Sequence, residues 1–194
     1  MSSSRQLGFS LIEVLVSLIV ICIGVLGMAA LQSRSLVQAQ DSVLRNTAIM
    51  LAGDLIEMMR SNPDGALNGD LFSVNSKYYK AAGSDFATTA LDSADGSCAK
   101  LARGVGGDAI AGKDLTCWLR QVKALLPVSD DLIKANFAVC PSLAAPMIGS
   151  TTPYSACGSV NSSVAMVVLA WQDASGNTQG CAGGICYYVL RAEL

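Results

Sequence analysis

Histidine is absent from the 194 residues. With it go the commonest general base, the commonest zinc ligand and every Ser-His-Asp arrangement. Charge is sparse as well. Only 14% of residues are Asp, Glu, Lys or Arg, the net charge is −2 and no basic run occurs, so nucleic acid is not an expected partner. No two cysteines stand at the CxxC spacing of a zinc site. The segment Asp92-Ser93-Ala94-Asp95-Gly96 lacks the alternating ligands and closing glutamate of a calcium loop. Gly104, Gly106 and Gly107 in "RGVGGD" have no GK[ST] after them and make no phosphate loop. The reading is therefore a chain with no catalytic residues, no metal, no cofactor and no small-molecule substrate. Trp171, Tyr187 and Tyr188 are read as hairpin core rather than a sugar platform.

Apolar residues are what the chain has in excess, at 52%. From Phe9 to Leu31 the only charge is Glu13, and no proline appears before Pro63. A helix over that stretch is about 34 Å long, enough to cross a hydrocarbon core of about 30 Å. A cleavable secretory signal would have a shorter apolar core, and Glu13 sits where that core should begin. An ordinary anchor fits the length but leaves the acid unexplained, since charge inside a membrane is costly and tends to be functional.

Gly8-Phe9-Ser10-Leu11-Ile12-Glu13, after a short leader carrying Arg5, resembles the processing motif of type IV prepilins and type II secretion pseudopilins. The resemblance implies cleavage between Gly8 and Phe9 by a prepilin peptidase and N-methyltransferase, with Phe9 then N-methylated and the apolar segment kept. It also implies that Glu13 pairs with the amino terminus of a neighbouring subunit. An acid meeting an amine in a low-dielectric bundle is neutralised, whereas a subunit out of register leaves both charges unpaired.

Beyond the apolar stretch, Val37, Leu44, Ala48, Leu51, Leu55 and Met59 recur at helical steps, and Ser61-Asn62-Pro63-Asp64-Gly65 supplies stop signals. One helix of about 50 residues is predicted, its second half packing on a globular head. Residues 64–112 read as loops with a short helix at most. Asp114 to Pro127, "DLTCWLRQVKALLP", reads as a helix with Asp114 as N-cap and Leu115, Trp118, Leu119, Val122, Leu125 and Leu126 on one face. Phe137–Cys140 reads as a short strand. Ser162–Gln172 reads as a central strand, and Ile185–Leu190 returns as its partner after the turn "DASGN". Helix first and sheet last is an α+β arrangement.

Six of the seven cysteines (Cys98, Cys117, Cys140, Cys157, Cys181 and Cys186) lie in the last hundred residues, and read as disulfides formed in an oxidising compartment. Six cysteines allow fifteen pairings. Cys181–Cys186 is the best local candidate because its two glycines let the chain turn, and nearest-neighbour pairing would add Cys98–Cys117 and Cys140–Cys157. Cys22 is left as a reduced thiol of the apolar helix.

"DLIEMMRSNP", "WLRQVKALLP" and the closing "AWQD…YYVLRAEL" extend the resemblance to minor pilins of the PilV type, the pilus modification proteins. It implies the pilin fold, with a leader at 1–8, a membrane and filament-core helix at 9–31, an amphipathic helix at 32–62 and a disulfide-stapled head at 63–194. It implies a single-pass protein of the bacterial inner membrane, head in the periplasm, that later enters the pilus. Its implied partners are other minor pilins, the major pilin, the prepilin peptidase and the inner-membrane assembly platform. The implied roles are priming of pilus assembly, with a place at the tip allowed, and a part in twitching motility and adhesion. A minor pseudopilin of type II secretion shares the same start, and a periplasmic enzyme or binding protein with a signal peptide is the alternative of another class.

Overall fold

In the computed structural model the chain is described for residues 10–91, 97–101, 103–104, 106–147, 150, 152–173 and 181–194, the side chains of Arg34 and Ala182 excepted. Contacts divide it into two units, Met1–Ser42 and Val43–Leu194. The first turn of "DASGN" apart from Asp173, and the segment 92–96, fall outside the described residues.

The run without proline becomes one helix, α1, Leu11–Arg60. Over its most apolar window, in the first unit, it has a mean hydropathy of 2.9, and none of that window is buried. In the second unit it turns amphipathic. Ala48, Leu51, Ala52, Leu55, Ile56 and Met59 are buried, the stripe seen in the sequence widened by Ala52 and Ile56. Glu57 and Arg60 stay outside and pair at 2.7 Å.

A short helix α2 (Pro63–Ala66) and a two-residue hairpin, β1 (Leu67–Asn68) with β2 (Leu71–Phe72), follow α1. The next helix corrects the sequence reading. α3 runs Gly107–Leu125 and begins seven residues before Asp114, so Asp114 is a buried residue inside the helix and not its cap. The apolar pattern alone starts at Leu115. The earlier turns are held by tertiary contacts with α2. Leu115, Trp118 and Val122 are buried as the pattern requires, Leu119 is half-buried, and Leu125 is exposed because the helix stops there and Leu126 turns inward instead.

After α4 (Asp130–Asn136), capped by Ser129 Oγ accepting from Leu132 N, comes β3 (Ala138–Pro141). β4 (Val164–Gln172), β5 (Cys181–Ala182) and β6 (Ile185–Glu193) complete an antiparallel sheet in the order β3-β4-β6-β5. β4 is central, as its unbroken apolar run predicts. Its residues Ala165, Val167, Leu169 and Trp171 join the main core with the inner face of α1, while Met166 and Val168 join Ala138 and Cys140 on the other face. Trp118 fastens the layers. Its indole N–H donates to Leu51 O at 2.8 Å, and its ring meets Phe86 and Phe137 edge-on. This long helix followed by an antiparallel sheet and extra helices is an α+β fold consistent with that of pilins.

Candidate functional site: an exposed apolar helix and a stapled head

Glu13 lies in the first turn of α1, where the partial positive charge of a helix N-terminus favours a carboxylate. Its amide donates to Ser10 O at 3.0 Å, and its own carbonyl accepts from Ser17 Oγ at 2.7 Å. Its carboxylate has no partner among the described residues. Around it Leu11, Ile12, Val14, Leu15 and Val16 are exposed, as are the apolar residues beyond them to Leu31. Gly24 and Gly27 have nothing within 4 Å of where a Cβ would stand, so this surface could accept a closely packed second helix. Cys22 is free and exposed on it. Gly8 and Phe9 lie outside the described residues.

In the head, three disulfides join Cys98 to Cys117, Cys140 to Cys157 and Cys181 to Cys186, with Cα separations of 5.5, 5.4 and 4.1 Å. The first ties a 3-10 turn at Cys98–Lys100 to α3. The second ties β3 to the loop before β4. The third crosses the β5–β6 hairpin, whose turn residues Gly183 and Gly184 have φ of +62° and +78°, values that favour glycine.

The sequence reading missed a polar clamp at the end of α1. Asn62 Oδ1 accepts from Gly107 N at 2.6 Å, while its Nδ2 donates to Gly107 O at 3.0 Å and to the Tyr78 hydroxyl at 3.2 Å. One amide thus caps α3 from a distant part of the chain. Tyr78 donates onward to Asp114 Oδ2 at 2.6 Å, and Arg103 Nη2 reaches both that oxygen at 2.7 Å and the Met58 carbonyl at 3.2 Å. Met58 O is one of the carbonyls a helix end leaves unpaired. Burial lifts the Asp114 carboxyl above its ordinary value, against the pull of Tyr78 and Arg103. Burial also raises the Tyr78 hydroxyl, reinforced by Asp114. Close approach at the clamp needs glycine: a Cβ on Gly65 would lie 2.6 Å from Asn62 Nδ2 and 2.8 Å from Gly107 O. The only sequence signal was the Asn62-Pro63 stop, which marks a helix end but says nothing of what the amide will meet.

A second buried polar group is Lys80, 1% exposed. Its ammonium donates to the carbonyls of Phe137, Lys134 and Ala81 at 2.6, 3.0 and 3.2 Å and lies over the Phe86 ring. Burial pushes it down to about 8, with Asp85 opposing. A shallow cavity of about 240 Å³ opens beside it, and its other cations, Lys123 and Lys134, are paired with Asp130 and Asp85. With all three lysines already satisfied, the cavity is not an evident anion site. The clamp and Lys80 hold the fold together, whereas the helix from Leu11 to Leu31 exposes its apolar side chains.

Two family models match parts of the chain. Residues 3–29, which include Gly8, Phe9 and Glu13, match the prokaryotic N-terminal methylation motif. Residues 30–102 match the family described as type IV pilin Tt1218. Over these stretches the chain is similar to type IV pilins, and the motif with its apolar helix fits a pilin anchored in the inner membrane. No curated protein and no solved structure matches it at a significant level.

Proposed function

We propose that the protein is a minor type IV pilin of the PilV type, a non-enzymatic subunit that joins other minor pilins to prime pilus assembly. The observation that carries the reading is Glu13: it is the only charge on α1 between Leu11 and Leu31, its surroundings are exposed and apolar, and no described residue answers it. After removal of residues 1–8, the amine of a neighbour's methylated Phe9 supplies the missing partner. Residues 9–31 wait in the inner membrane with the head in the periplasm, then bury in the filament core. The head, stapled by three disulfides, suits an oxidising exterior.

Two measurements test this. Mass spectrometry of the mature chain should find a methylated Phe9 at its start, and a start near Ala30 would instead make it an exported protein with a signal peptide. Glu13→Ala should be cut and methylated normally yet fail to enter pili. Normal piliation and incorporation in that variant would remove the assembly role. Co-purification with secretion components in place of minor pilins would assign the same chemistry to a type II pseudopilin.

A further inference from the structure

Six asparagines lie among the described residues, and one of them stands in different surroundings from the rest. Asparagine is chemically labile. Its side-chain amide is lost when the next main-chain nitrogen attacks it, so that nitrogen must be free and the side chain able to swing over it. Asn62 is buried and precedes Pro63, which has no N–H. Asn46 lies inside α1, where the helical ladder takes the Thr47 N–H. After Asn75, Ser76 N donates to Ser73 O at 3.1 Å, and after Asn136, Phe137 N donates to Ile133 O at 3.1 Å. Asn161 Oδ1 accepts from Val74 N at 3.0 Å, and the following Ser162 N donates to Phe72 O at 3.4 Å.

Asn68 is held by none of these devices. It is exposed, its side chain bonds to no described residue, and Gly69 follows it. Asn68 and Leu71 close the β1–β2 hairpin around Gly69 and Asp70. Gly69 has φ of +64° and Asp70 a negative φ, the pattern of a type II′ turn. Gly69 N donates to no described residue, Gly69 is exposed, and nothing lies within 4 Å of where its Cβ would stand. The nitrogen is therefore open. Ser73 N donates to Ala66 O at 3.0 Å, so by alternation the pair Asn68–Leu71 holds the last two main-chain bonds of the hairpin. Turning Asn68 out of its extended conformation breaks those two bonds and leaves the rest of the sheet in place.

We propose that Asn68 is a site of spontaneous modification by water, through which the head passes with time into an aspartate and an isoaspartate form. Gly69 N gives up its proton to hydroxide and attacks Asn68 Cγ. The Cγ–Nδ2 bond breaks, and Nδ2 leaves as ammonia with a proton from water, which restores the hydroxide. Water then opens the five-membered ring. Breaking the new N–Cγ bond gives aspartate, and breaking the bond from Gly69 N to the Asn68 carbonyl carbon gives isoaspartate. The sum is one water consumed and one ammonia released, with no oxidation or reduction. Both products place a carboxylate close to Asp70. Isoaspartate also adds one atom to the main chain of a turn whose length sets the strand register, so the Asn68–Leu71 pair opens. The inference stands on local geometry and holds whether or not the pilin reading does.

The test incubates the full chain in detergent micelles, in mildly alkaline buffer made with heavy-oxygen water, beside a free peptide of residues 67–72. Peptide mapping by mass spectrometry should find heavy oxygen and both products at Asn68. Conversion there should be about tenfold or more faster than at any other described asparagine, since only a small local opening is needed. It should quicken as pH rises. In the isoaspartate fraction the Leu71 amide should exchange about tenfold or more faster, having lost its partner. Asn68→Gln, which would have to close a slower six-membered ring, should keep its amide over the same period with the melting temperature little changed. An intact Asn68 in the chain after the free peptide has converted would show that the hairpin shields it, and would overturn the proposal. So would equal conversion at another described asparagine, failure of both chain and peptide to convert, or aspartate without isoaspartate, which direct hydrolysis gives.

Discussion

The amide of Asn62 closes the N-terminus of α3 from 45 residues away, and the carboxylate of Asp114 draws Tyr78 and Arg103 onto the end of α1. Asn62→Ala would leave the Gly107 N–H without its acceptor and should cost about 2 kcal/mol, read as a lower urea midpoint at unchanged slope. Asp114 makes a pH prediction. Its folded pKa lies above the ordinary 3.8, so the folded state holds the proton more tightly than the unfolded one. Its contribution to stability is full below 3.8 and fades as pH rises through the folded value. Urea melts at steps from pH 7 to pH 3 should therefore show the native chain gaining on Asp114→Asn as the solution is acidified. A difference that stays flat would mean the carboxyl is not raised. Neither role was legible from sequence. Asp114 at the head of an apolar pattern has the signature of an N-cap, and only the packing of α2 on α3 carries the helix seven residues further back.

Among the elements, β4 and α1 were the easiest to read, because a central strand and a long amphipathic helix write their burial as local patterns: an unbroken apolar run and a 3.6-residue stripe. β1, β2 and β5 were not seen, being two-residue strands with no periodicity to detect. The disulfides illustrate the same limit, since spacing leaves fifteen pairings open and Cα distances select one. Their loops differ, with sequence separations of 19, 17 and 5. If a crosslink acts mainly by restricting the unfolded chain, replacing both cysteines by serine should cost about 3 kcal/mol for each longer loop and about 2 kcal/mol for the Cys181–Cys186 hairpin. Melting the three double variants side by side checks the ranking. A hairpin variant that loses most would show that native-state geometry, not chain entropy, dominates there.

For the molecule as a whole, the division at Ser42 and Val43 predicts that the two units have different solvents. A chain starting at Val43 retains the buried stripe of Ala48 to Met59 and all six paired cysteines. It should be soluble without detergent, with the near-ultraviolet circular dichroism of the full protein's head. Aggregation of that fragment would mean the first unit is needed for the head to fold. The apolar run, the lone Glu13 and the glycine before Phe9 could be read directly, because a membrane-length helix and a processing motif are local in the chain. The clamp at Asn62 and the disulfide pairing could not. Each depends on which residues meet across distances the chain does not encode locally.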